Sequence, residues 1–261
     1  MREFSAKVII DDETYTEKQL ARYQYGRTLH VLHEMKRLGA SFQDGGRILS
    51  DEDLNWLAPE KAEQLLLEKK AGMTEQEALE LFDVPERDAE RRWKAYAADY
   101  NPANAHLGVT EVQIKGIGIQ ETMAVLGGAG NKTQALGTFP DHFIVIGDIH
   151  EGQRGMETFG MFGEPVYVHG TSSDTIPEGL PVEVDESYPM RMFGEMLLKR
   201  DDTPIHVGAY HMFRPTPDGF DVKSTFFCPG KAPEAVAEGH KMHFALEIVN
   251  SARYAYTNAA R

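Results

Sequence analysis

The chain has 261 residues, 41% of them hydrophobic, enough for one large domain or two small ones with a real core. Its net charge of −14 argues against a nucleic-acid footprint and against an anionic membrane surface. A single cysteine, Cys228, excludes an intramolecular disulfide framework. No apolar run reaches the ~18 residues of a membrane span, and MREFSAKVIIDDETYT does not read as a signal peptide, so the expectation is a soluble cytoplasmic protein.

Residues 14–100 read as helical, within an N-terminal region taken as 1–104. The segment TEKQLARYQYGRTLHVLHEMKRLG opens on a threonine cap and closes on glycine, and Leu20, Tyr23, Leu29, Leu32 and Met35 recur at roughly helical spacing. A second helix fits Ser50–Lys70, where the acidic SDED start suits the helix dipole. Two more fit MTEQEALELFDVPERDAERRWKAYAADY, with a break at Val84-Pro85. That hairpin resembles a small helix-turn-helix, but the acidic balance argues against DNA. These amphipathic helices suit either covering one end of a pocket or forming a homodimer interface.

Residues 105–261 read as a second unit. Gly and Pro punctuate short β-rich runs: TEVQIKGI, HFIVIGDI, METFGMF, EPVYVHG, PMRMFGEMLLK, PIHVGAYHMFR and GFDVKSTFFC. PTPDG joins the last two as a hairpin. A short helix and loop fill IQETMAVLGGAGNKTQALGTFP, and the segment 170–187 is a candidate lid. A long final helix spans 233–258. The predicted class is α+β: an antiparallel sheet curled around a C-terminal helix, the helix-grip (Bet v1-like) arrangement, with a cavity between them.

That helix carries the most chemistry. At ~100° per residue His240, His243 and Glu247 fall within an arc of about 60°. His243 and Glu247, one turn apart, can aim at one point, as a helix does when it offers two ligands to a divalent metal. A hydrogen-bonded core pair or a solvated face has the same spacing.

Other residues are weighed in the same way. His150 ends a strand run and is either a ligand or base or an exposed loop histidine. Glu157 and Glu164 lie seven apart, so on one unbroken strand they face opposite sides unless the intervening glycines make a bulge. His206 and His211 likewise take opposite faces. Tyr167 and Tyr188 offer hydroxyls as hydrogen-bonding groups or are half-buried strand aromatics. Arg191 and Arg214 are anion partners or surface charges. The glycines of 127–130 lack the Gly-Lys-Ser/Thr of a phosphate loop, Cys228 has no basic partner, and no Gly-x-Ser-x-Gly elbow is present.

YHMFRPTPDGFDVKSTFFCPG together with HKMHFALEIVNSARYAY resembles the C-terminal part of the diacetylphloroglucinol hydrolase and phloretin hydrolase family. The matching features are His211-Met212, Asp218-Gly219, the DVKSTFF strand, and His243 with Glu247. The similarity covers about residues 119–258. It implies a zinc-dependent hydrolase on a helix-grip fold that cleaves an acyl group from an electron-rich phenol. It implies metal ligation by the helix His243 and Glu247, by a strand glutamate that maps onto Glu164, and by a histidine after a short tryptophan-rich helix. That helix maps onto residues 121–126, which hold no tryptophan, and the family histidine falls near Asn131. His142, His150 and His240 are the substitutes, with His142 preferred. His211 is the expected base or proton donor, with Tyr167 and Tyr188 on the phenol. The competing readings are a cofactor-free lyase, decarboxylase or cyclase on a hydroxylated aromatic, and a non-catalytic protein that binds a hydrophobic ligand.

Overall fold

The computed structural model describes residues 3–126, 132–147, 152–161, 163–173, 175–176 and 178–259. The chain opens on strands, not helices. β1 (Ser5–Ile10) and β2 (Glu13–Tyr15) form a hairpin whose turn, Asp11-Asp12, has positive φ at both positions, as a two-residue primed turn requires. α1 (Glu17–Arg37) then starts on a capping box between Thr16 and Gln19. A small hairpin, β3 (Gln43–Asp44) and β4 (Arg47–Ile48), precedes α2 (Asp51–Asn55) and α3 (Pro59–Gly72). The expected single helix over 50–70 is therefore two. Pro59 lacks an N–H and sits at the first position of α3, so it opens a helix where it would have broken one. α4 (Glu75–Leu81) and α5 (Asp83–Ala97) meet at Phe82, with Pro85 in the first turn of α5.

A short 3-10 turn (Pro102–Asn104) leads into β5 (His106–Lys115), α6 (Ile119–Leu126) and α7 (Lys132–Gly137). There follow β6 (His142–Ile146), β7 (Gln153–Glu157), a 3-10 turn at Phe159–Met161, β8 (Val166–Ser173), β9 (Met190–Leu198), β10 (Pro204–Thr216), β11 (Gly219–Cys228) and α8 (Glu234–Ala259). Among the described residues the main sheet has nine strands in the order β2-β1-β5-β11-β10-β9-β8-β7-β6, every neighbouring pair antiparallel. The protein is thus mixed helix and antiparallel sheet with a C-terminal helix. No described helix is long and apolar enough to cross a membrane.

The split at residue 104 does not divide the core. β1 pairs with β5, for example Val8 with Val112, so the first strands belong to the sheet. The α1–α4 side chains Val31, Leu32, Leu66 and Phe82 share one apolar cluster with Phe143, Ile144, Met156 and Tyr167 of β6–β8. α8 lies against β1, β5 and β11 and is also covered by α6 and the 159–161 turn. It is therefore buried on most of its circumference, from Val236 to Ala255.

The opposite face of the sheet carries a third cluster, with Phe193, Tyr210, Met212 and Phe227 beneath Leu180 and Val182. Within 170–187, Ile176, Leu180 and Val182 therefore pack on this far face and not over the α8 side. The lid expectation fails because Ile176, Leu180 and Val182 are apolar enough to cover exposed sheet.

Candidate metal centre and cavity

Strand periodicity builds the site. On β7 the residues Gln153, Gly155 and Glu157 face the space under α8, and on β8 Val168, Gly170 and Ser172 do. β9 adds Met192 and Met196, β10 adds Ala209, His211 and Phe213, and β11 adds Phe226. α8 closes the space with His240, His243, Phe244 and Glu247. The cavity has a volume of about 180 Å³.

At one end four side chains converge. His142 Nε2 lies 3.0 Å from His243 Nε2, 3.3 Å from Glu157 Oε2 and 3.8 Å from Glu247 Oε1. His243 Nε2 is 3.6 Å from Glu157 Oε2 and 4.0 Å from Glu247 Oε2. His142 and Glu157 are cross-strand partners at a bulged register of β6 and β7, while His243 and Glu247 come from one turn of α8. His142, Glu157 and His243 are close enough for one cation to bridge them, so the cluster could hold a metal ion.

The donor chemistry fits that occupant. Two imidazoles and two carboxylates meet with no lysine or arginine ion-paired to either carboxylate among the described residues. Burial of the Glu247 carboxyl raises its pKa to about 7, with the His142 charge opposing and the Glu157 charge assisting. Burial works against the His142 imidazolium, but its hydrogen bond with Glu157 and the charges of Glu247 and Glu157 prevail, so its pKa rises. Burial, with the neighbouring His240 and His142, holds His243 well below the ordinary histidine value. Opposed nitrogen donors beside buried carboxylates are the environment that a divalent cation relieves. His142 Nδ1 lies 3.3 Å from Thr138 Oγ1 and 3.4 Å from the Ala135 carbonyl. Thr138 already donates its hydroxyl proton to Ala135 at 2.8 Å, so Nδ1 donates toward these acceptors and Nε2 is the ring atom turned to the cluster. Nδ1 of His243 is buried without a hydrogen-bond partner among the described residues. The ring itself is stacked on Phe139 at 3.9 Å.

Two further histidines line the cavity. His240 accepts the Gly160 N–H at Nδ1 (3.0 Å) and stacks on Phe226 at 3.8 Å. Burial keeps it neutral, which places its proton on Nε2. His211 is bonded through Nδ1 to Ser224 Oγ at 2.7 Å, and burial lowers its pKa to about 4. Because the folded value lies below the ordinary 6.5, the unfolded chain takes up more protons between the two. Stability is therefore expected to fall as the pH drops from about 6.5 toward 4, and the drop in urea midpoint between pH 7.5 and 4.5 should shrink in His211→Gln. An unchanged drop in that variant would mean that His211 is not held neutral.

Three expected site residues lie elsewhere. Glu164 is ion-paired with Arg92 of α5 outside the cavity, and the strand glutamate that reaches the cluster is Glu157. METFGMF is not one strand: β7 ends at Glu157 and the chain turns through Gly160 and Met161, both at positive φ, so alternation cannot be counted from 157 to 164. Tyr167 alternates with Val166 and Val168 and so faces the helical layer, where its hydroxyl bonds to Glu75. Tyr188 lies in the far-face cluster under the Arg214 guanidinium, 4.6 Å from its ring centre. His142, His211, His243 and Glu247 line the cavity as expected, and His206 sits in the β10 bulge, stacked on Tyr100 at 4.0 Å. His150 and Asn131 lie outside the described residues. Glu157 is not reached by counting along the sequence: the regular β6–β7 register, Ile144 with Met156 and Val145 with Gly155, would set Phe143 opposite Glu157, and only the irregularity between His142 and Ile144 brings His142 there. Compared with known proteins, the chain matches no family model and no curated sequence.

Proposed function

We propose that the protein is a metal-dependent hydrolase that cleaves the carbon–carbon bond between an acyl group and an electron-rich phenolic ring, on a helix-grip frame. The observation that carries this reading is the convergence of His142, Glu157, His243 and Glu247 at the end of a mainly apolar cavity. Two imidazoles with two carboxylates suit zinc. A divalent metal bound there would polarise an acyl carbonyl and make water more acidic.

The remaining chemistry falls to the chain. A cavity of about 180 Å³ accommodates one substituted ring, since a comparable cavity of ~150 Å³ takes benzene. Met192, Met196, Phe226 and Phe244 offer that ring apolar and aromatic contact and exclude water. In the reaction water supplies OH to the carbonyl carbon, and the aryl–acyl bond breaks with its electron pair passing to the ring. The ring carbon takes the remaining proton, giving a phenol and a carboxylic acid. His211, neutral and oriented by Ser224, accepts and returns a proton; His240 donates a hydrogen bond from Nε2 to a phenolic oxygen.

Metal analysis of purified protein by mass spectrometry is the first test. About one divalent ion per chain, removable by chelator and absent from a folded Glu247→Ala variant, is the expected result. Turnover of acylphenols by the loaded protein should follow. No metal at any stoichiometry would sink the mechanism.

A further inference from the structure

The turn that delivers His142 is held from outside the cavity by the helical layer. Lys70 of α3 is 2% exposed, and its ammonium donates to three backbone carbonyls: Leu136 at 2.8 Å, Phe139 at 3.1 Å and Pro140 at 2.9 Å. An ammonium has three N–H bonds, so all are used. Leu136 is in the last turn of α7, where carbonyls lack helical partners, and Lys70 therefore also caps that helix. Arg27 of α1 grips the fully buried Asp141 with a two-pronged ion pair, Nε to Oδ2 at 2.7 Å and Nη2 to Oδ1. Asn250 Nδ2 donates to the Thr138 carbonyl at 2.9 Å. Every residue from Leu136 to Asp141 except Gly137 is thus held by a side chain from α1, α3 or α8. Of the two acceptors of His142 Nδ1, Thr138 belongs to this turn and Ala135 to the α7 helix that leads into it.

We propose that Lys70 and Arg27 are positioning residues for His142: by fixing the 136–141 turn they set which ring nitrogen is protonated and where Nε2 lies, which makes the helical layer a working part of the centre. The proposal rests on the metal-centre reading. A loose turn would let the imidazole rotate away from Glu157 and His243 or exchange its proton between nitrogens, and the centre would lose one ligand in a chain that still folds.

The test compares Lys70→Met and Arg27→Gln with Leu66→Ala, a core truncation in α3 that removes no hydrogen bond to the turn and does not line the cavity. Two quantities are read: zinc affinity by competition with a chromophoric chelator, and the ring Nδ1–H resonance of His142 in ¹⁵N-histidine-labelled, metal-free protein, assigned by its loss in His142→Gln. The expectation is about a 10–100-fold loss of zinc affinity and loss of the ring N–H signal in both turn variants. Leu66→Ala, although less stable, should keep both near wild type. An Arg27→Gln protein that retains wild-type affinity and the ring signal overturns the proposal. So does a Leu66→Ala protein that loses both, since general loosening would then suffice. Should Lys70→Met not fold, Arg27→Gln decides. Should the wild-type protein bind no zinc, the metal-centre reading falls, and the ring signal alone decides whether the turn positions His142.

Discussion

Glu157→Gln is expected to lower divalent-metal affinity by more than about 100-fold, because even outer partners of ligand histidines cost 10–100-fold and this residue would be a ligand itself. The amide keeps the shape of the side chain but removes the charge that faces both His142 Nε2 and His243 Nε2. The fold should survive, since no lysine or arginine is ion-paired to Glu157 among the described residues. Glu164→Gln is the matched control: it breaks the surface pair with Arg92, where such pairs contribute about 0–1 kcal/mol, and should leave metal content untouched. Both are read by metal analysis after gel filtration, with circular dichroism to confirm folding. A reversed pattern, with Glu164 needed and Glu157 dispensable, would remove the cluster from the account.

Gly239→Ala should be among the most damaging small substitutions in the described part of the protein. An added Cβ at 239 would stand 1.9 Å from the Gly160 carbonyl oxygen, and one at 160 would stand 1.9 Å from the Val236 oxygen. Both obstacles are backbone, so no side chain can swing aside. Alanine would gain about 1 kcal/mol in helix propensity at 239, but overpacking against a rigid neighbour exceeds that. The net cost is expected to be about 3 kcal/mol or more, a fall in Tm of roughly 6–12 °C. The same change at Gly26, in α1 with nothing within 4 Å of the new atom, should raise stability by about 0.5–1 kcal/mol. Thermal melts of the two variants separate close approach from propensity. A Gly239→Ala melt at or above wild type would show that α8 and the 159–161 turn do not touch as described.

The parts of this architecture that depend on local pattern were legible in the sequence. The arc of His240, His243 and Glu247 follows from helical spacing alone, and all three line the cavity. The separation of His211 from Tyr210 and Met212 follows from strand alternation, because β10 is regular beyond its bulge. What failed were inferences that required knowing where an element stops. The family resemblance points to Glu164 as the strand glutamate, but β7 stops at Glu157 and the backbone turns at positive φ at Gly160 before Glu164 is reached. Tyr167 and Tyr188 carry suitable hydroxyls, but burial against Glu75 and Arg214 is decided by long-range packing that no window of sequence contains. The role of the N-terminal helices was equally hidden, since the Lys70 and Arg27 contacts join residues 66 and 114 or more positions apart.

The strand order carries a kinetic implication. From β6 to β11 every ladder joins sequence neighbours, so that meander can assemble hairpin by hairpin, each closing a modest loop. β5 is different: its partners are β1, far upstream across the helices, and β11, far downstream across the whole meander. Both non-local seams run along this one strand, and α8 packs directly over it. Refolding is therefore expected to be slowest at the capture of β5, and α8, which packs on that strand and lines the cavity, should dock only with it.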